Sequence, residues 1–158
     1  MEFKNLLTEL NEAMAVEAFK DDGHGACRVI VEGLVVTLLD IPAAHRLLTT
    51  ATIGPVPEAG RDQFHATMLK AMHLAEGTSG AFFSIDPEAN TICLTRQDVT
   101  SWFEAGQFAD IFENFINICL SWRQMLSEFT PVMKELEAIK GEETETSREL
   151  LPHEVLHV

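Results

Sequence analysis

Three short runs, Val29-Ile30-Val31, Leu34-Val35-Val36 and Phe82-Phe83, are apolar at consecutive positions instead of every second one. A strand with one wet face alternates polar with apolar, so strands built from these runs turn apolar side chains to both faces of their sheet. Both faces then need cover. The remaining sequence decides how many helices are available to supply it.

The strands follow from β-branched and leucine-rich runs bounded by turn residues. Ala26 to Val31 and Leu34 to Leu39, separated only by Glu32 and Gly33, read as a hairpin. Asp40-Ile41-Pro42-Ala43 makes the next turn, and Arg46 to Ile53 is a third strand stopped by Gly54, Pro55 and Pro57. Ala81 to Ile85 and Thr91 to Thr95 flank Asp86-Pro87-Glu88-Ala89-Asn90, with proline where a type I turn wants it.

Three helices complete the order. Phe3, Leu6, Leu7, Leu10 and Met14 recur at helical spacing, so a first amphipathic helix is expected from Glu2 to Phe19, before Asp21, Asp22, Gly23 and Gly25. Phe64, Met68, Ala71, Met72 and Ala75 make one stripe of a second, from Arg61 to Glu76, with Gly77 as its C-cap. The strongest periodicity runs through Phe108, Ile111, Phe112, Phe115, Cys119, Trp122, Leu126 and Phe129. A capping box of Ser101 and Glu104 precedes it, though Gly106 moves the expected start to Gln107. Pro131 is expected to end or kink this helix. From Glu137 to Val158, six acids stand against two basic residues, and this stretch reads as a mobile tail.

The expected class is α+β, in the order α-β-β-β-α-β-β-α, with a twisted, mainly antiparallel five-stranded sheet. Residues 1–136 would form the domain and 137–158 the acidic tail. At 158 residues one core is the natural expectation, and three helices are few for two sheet faces. Self-association or a bound partner is expected to complete the burial.

Charge and motifs exclude several functions. Lys plus Arg number 11 against 25 Asp plus Glu, a formal charge of −14, which disfavours nucleic acid and anionic lipid as partners. No apolar stretch reaches the roughly 18 residues of a membrane span, and Met1 to Leu10 has no signal-peptide pattern, so the expected location is the cytoplasm. Cys27, Cys93 and Cys119 are odd in number and set among apolar residues, as buried free thiols are. No Walker loop or Gly-x-Ser-x-Gly elbow occurs, and Gly23-His24-Gly25 and Gly77-Thr78-Ser79-Gly80 are too short to cradle phosphate. Asp86 with Glu88 and Asp110 with Glu113 have the spacing of ordinary solvated carboxylates. His65 and His73 lie two helical turns apart, too far for one metal, and His24 and His45 fall in turns.

One motif tempts. His153-Glu154-Val155-Leu156-His157 matches the zincin pattern, in which a helix holds zinc through both imidazoles and the Glu acts as general base. It follows Pro152, only Val158 comes after it, and no third ligand is expected downstream. Chance is the favoured reading, ahead of adventitious metal binding and, last, a metalloprotease. No catalytic residue, resident metal or cofactor is expected.

Taken together, residues Glu2 to Phe129 resemble the class I chaperones of bacterial type III secretion, the Tir-chaperone-like family of small acidic cytoplasmic dimers. The resemblance rests on the amphipathic first helix, Cys27-Arg28-Val29-Ile30-Val31 with Leu34-Val35-Val36-Thr37-Leu38-Leu39, and Leu47 to Ile53 with Gly54-Pro55-Val56-Pro57. It continues through the helix from Phe64 to Ala75, Gly80-Ala81-Phe82-Phe83-Ser84-Ile85-Asp86, Thr91-Ile92-Cys93-Leu94 and a closing helix with Trp122. It implies a non-enzymatic homodimer that binds the N-terminal chaperone-binding segment of a secreted effector, keeps it extended and soluble without ATP, and delivers it to the export apparatus. Carried over residue by residue, it implies Phe64, His65, Met68 and Met72 at the dimer interface. It implies Leu6, Leu10, Met14, Ile30, Val35 and Thr37 in the effector groove. Core packing accounts for the same helix positions equally well and for the strand positions more readily. The alternative function is a protein-binding or regulatory module of the same fold with no secretion role.

Overall fold

The computed structural model describes residues 2–149. Five strands form one sheet: β1 (Ala26–Val31), β2 (Leu34–Ile41), β3 (Arg46–Pro55), β4 (Phe82–Asp86) and β5 (Thr91–Val99). Their order is β1-β2-β3-β5-β4 and every pairing is antiparallel, so β1 and β4 are the edges. The hairpin expected around Glu32-Gly33 pairs Val31 with Leu34. Strands β2, β3 and β5 run two to four residues past their expected ends, and the added residues each pair with one neighbour: Asp40 and Ile41 with β3, Gly54 and Pro55 with β5, and Arg96 to Val99 with β3.

The helices are α1 (Phe3–Ala13), α2 (Arg61–Met72) and α3 (Gln107–Glu149). Two end earlier than the periodicity predicts. α1 stops six residues short of Phe19, where Ala15 takes a positive φ of 52° and the side chain of Asn11 captures the returning chain. Asn11 Nδ2 donates to Phe19 O at 2.8 Å, and Phe19 N–H donates to Asn11 Oδ1 at 3.0 Å. Phe19 thereby reaches the core, edge-on to Phe112 at 5.5 Å. α2 stops at Met72, since Leu74 and Ala75 both take positive φ, and Gly77 N–H closes the turn on Ala71 O.

The third differs in the other direction. Pro131 does not end α3, which continues to Glu149, so the first part of the stretch read as a tail is helical. A proline inside a helix costs about 3 kcal/mol. Offsetting it, the residues on either side are tied down: a Cβ on Gly60 would meet Met133 at 2.6 Å and Phe129 at 3.0 Å, and Gly60 N–H donates to Glu137 Oε1 at 2.9 Å. Residues from Leu150 on, including the His153-to-His157 motif, lie outside the described residues.

Strand parity sets the layers. Leu34, Val36 and Leu38 of β2, Leu47, Ala51 and Ile53 of β3 and Leu94 of β5 are buried with Leu6, Leu10, Phe108, Phe112, Phe115 and Cys119 of α1 and α3. Arg28, Ile30, Val35, Thr37, Leu48 and Thr50 carry the opposite parity, in register with one another across β1, β2 and β3. α2 packs on α3 through Phe64, which meets Trp122 and Phe129 at 6.4 and 5.0 Å. One sheet face is therefore helix-covered and the other is left to Ile30, Val35 and Thr37.

Candidate functional site

Concave surfaces among the described residues include two with apolar lining. The larger, about 640 Å³, opens where the C-terminal end of α1 meets the β1–β2 turn and the first turns of α3. Leu10, Met14, Val31 and Phe112 supply apolar lining, and Glu32, Asp110 and Glu113 supply carboxylates. All three acids are exposed. Apolar lining with three carboxylates and no basic residue in the lining itself suits an apolar side chain flanked by a cation, with Arg123 nearby against Gly33. The cavity adjoins β1, an edge strand whose outward backbone groups no other strand pairs.

Local chemistry holds this corner together. Glu9 of α1 accepts from two N–H groups at the start of α3, Gly106 at 3.1 Å and Ala109 at 2.8 Å. These are groups an isolated helix leaves unpaired, and the carboxylate also meets the positive end of the helix dipole. Opposite, the turn before β1 is fixed by carboxylates accepting from backbone. Asp21 Oδ1 takes Gly23 and Gly25 N–H, and Asp22 Oδ1 takes His24 and Ala26 N–H. The bonds from His24 and Ala26 hold the Asp22 carboxyl below its ordinary value.

The second concavity, about 340 Å³, lies between α2 and the β4 edge and is lined by His65, Met68, Leu69, Met72, Phe83 and Ile85. His65 Nε2 is shut from solvent without a hydrogen-bond partner among the described residues. Leu69 is 64% exposed.

The residues singled out from the sequence fall into separate places. Leu10 and Met14 line the α1–α3 cavity, Leu10 from the core and Met14 from the rim. Leu6 has no exposed surface and packs wholly in the core. Ile30, Val35 and Thr37 stand together on the uncovered sheet face, Ile30 opposite Val35 in register and 72% exposed. On α2, His65, Met68 and Met72 line the smaller concavity, while Phe64 turns inward onto Trp122. Sequence reasoning read Asp110 and Glu113 as ordinary solvated carboxylates and passed over Glu32 and Leu120 at the cavity and Leu69 and Ile85 at the concavity. Asp110, Glu113 and Leu120 sit on one face of α3 at helical spacing, a signal available beforehand.

Among the described residues, the groups weighed for chemistry have other places. The three thiols are free and buried, and burial pushes Cys119 up to about 12 and Cys27 above its ordinary value. Asp86, one of the paired carboxylates, accepts from Glu88 and Ala89 N–H and so holds its own turn. Among the described residues no three His, Cys, Asp or Glu gather as a metal site, and no helix is long and apolar enough to cross a membrane.

The sequence profile of the Tir chaperone protein (CesT) family matches residues 5–123, from α1 through Trp122 and Arg123 of α3. The chain belongs to that family. Solved structures agree with the chaperone fold. The ExsC-ExsE complex superposes with a TM-score of 0.62 at 19% identity, covering 80% of this chain and 92% of the other. The type III secretion chaperone SycH of Yersinia pestis, in complex with a stable fragment of YscM2, gives 0.60 at 16% identity, covering 77% and 99%. The HopA1-SchA chaperone-effector complex gives 0.58 at 17%, covering 78% and 95%. No curated protein matches the sequence significantly. Within the Tir chaperone fold, both concave surfaces belong to the matched residues, and α3 beyond Arg123 does not.

Proposed function

We infer that this Tir-family protein is a cytoplasmic chaperone that binds the N-terminal chaperone-binding segment of a type III secreted effector and keeps it extended, soluble and ready for export without ATP. The observation that carries the reading is the apolar cavity of Leu10, Met14, Val31 and Phe112 beside the unpaired edge of β1. An extended segment added to a sheet edge gains main-chain hydrogen bonds, and its alternate side chains reach pockets on either face. On one side they meet this cavity with Glu32, Asp110 and Glu113 around it; on the other, Ile30 and Val35. The client segment is accordingly one that alternates apolar residues with Lys or Arg. Zincin-like catalysis has no place in this reading, nor does a cofactor, and the client-binding unit is residues 1–136.

The same reading includes a homodimer joined through α2 and β4, supported by the exposed Leu69 and the unpartnered His65 Nε2 at the smaller concavity. Hand-over to the export apparatus completes the cycle.

The test is a pull-down from the native bacterium, with limited proteolysis of the captured protein, followed by calorimetry on the protected segment. A protected N-terminal segment of a secreted protein is expected. Met14→Asp should weaken its binding by about 1.5 to 3 kcal/mol, the worth of one buried apolar side chain, and ATP with magnesium should leave it unchanged. A captured partner that is never secreted would favour the regulatory module instead.

A further inference from the structure

Met125, Val132, Leu136 and Ile139 of α3 are all large, apolar and exposed, between 43% and 55% of their surface. Their spacing of seven, four and three residues places them on one stripe about 21 Å long. The stripe lies about a quarter turn from the seam of Trp122, Leu126, Phe129 and Met133 that faces the domain. It lies about a third of a turn from the α3 residues lining the cavity, so it is a separate surface. It also begins two residues past the end of the family match. The helix that carries it is held in place by Glu137 and Met133 against Gly60, so the stripe is presented from a fixed base.

The outer flank of this stripe carries Glu128 and Glu135, one heptad apart and both exposed. Gln124 donates to Glu128 at 2.9 Å along the same flank. In an antiparallel pair of helices like flanks meet, so two copies of α3 would set these carboxylates against each other. In a parallel pair the acidic flank must meet the partner's other flank, which here is taken up by Met133 and the seam. Self-pairing is thus disfavoured in both directions. We propose that the exposed stripe of α3 is a docking site for a partner protein's amphipathic helix whose apolar face is flanked by Lys or Arg.

The test uses full-length chaperone and a 21-residue helix-forming peptide of about three heptads, with leucine at the core positions and lysine on one flank. The glutamate-flanked counterpart and a shuffled lysine peptide are the controls, and fluorescence anisotropy is the readout. The lysine-flanked peptide should bind at least tenfold more tightly than either control. Val132→Ser/Leu136→Ser/Ile139→Ser, which leaves the net charge untouched, should weaken it at least tenfold. Glu128→Lys/Glu135→Lys should reverse the flank preference, and it decides the matter should the serine variant lose its helical circular dichroism. Equal binding of the shuffled peptide, or full affinity in the serine variant, would overturn the proposal. So would a shift of the peptide-free serine variant to a smaller oligomer in sedimentation, because a second copy would then be the occupant.

Discussion

At the scale of single residues, burial decides behaviour more than residue type does. Cys119 sits inside α3 with no exposed surface, and burial raises its thiol to about 12 because a thiolate there would lose its hydration. A raised folded value means the thiol stays protonated in the folded chain while the unfolded one ionises at its ordinary value near 9. Its contribution to stability is whole below that value and is lost as pH rises from there toward 12. Native protein at pH 8 should leave Cys119 unalkylated by iodoacetamide, with labelling appearing in urea; mass spectrometry of the tryptic peptide reads the outcome. Gly60 is a second case. Its φ of +66° and the approach of Met133 and Phe129 leave no room for a Cβ. Gly60→Ala should cost about 2 to 5 kcal/mol, the penalty of a left-handed backbone together with that of pushing Met133 and Phe129 aside, read from the urea midpoint.

Among the elements, the strands were legible and the helix ends were not, for a physical reason. Strand positions follow from β-branched runs and from turn residues such as Glu32-Gly33 and Asp86-Pro87, all local signals. The ends of α1 and α3 depend on contacts from far along the chain. Asn11 holds Phe19 back from the helix, and Gly60 anchors α3 beyond Pro131. The candidate cavity has the same character. Leu10 and Met14 could be read from one amphipathic stripe, but periodicity does not separate the stripe's buried centre, where Leu6 lies, from its open margin. Its acids come from the β1–β2 turn and from α3, elements that only the fold brings together. The contact between α1 and α3 gives an element-level prediction. Glu9→Ala removes the acceptor for Gly106 and Ala109 N–H and should cost about 1 kcal/mol. Glu9→Gln keeps one of the two oxygen acceptors but loses the charge and turns an amide NH2 toward the other N–H, so a loss close to that of Glu9→Ala is expected in thermal denaturation. Full stability in Glu9→Gln would show that neither the charge nor the second bond matters.

For the whole molecule, the consecutive apolar runs of β1 and β2 find their cover on one side only. α1 and α3 close the Leu34, Val36 and Leu38 face, while Ile30, Val35 and Thr37 face outward and the β4 side keeps Leu69 and Ile85 exposed beside α2. Dimerisation through α2 and β4 would bury the latter and give His65 Nε2 a neighbour. The substitutions that test this must spare the core. Phe64 and Met68 are buried within the chain, with Phe64 on Trp122 and Phe129, so charging them would unfold the protomer before it separated a dimer. Leu69 and Ile85 are exposed in the single chain, so Leu69→Asp/Ile85→Asp should leave its circular dichroism unchanged. An interface that buries apolar side chains cannot take two unpaired carboxylates without a penalty of several kcal/mol. Sedimentation at micromolar concentration should therefore find two chains per particle in the parent and one in the variant. A parent that sediments as a single chain would remove the dimer, whereas a variant that stays paired would move its interface to the uncovered face at Ile30 and Val35.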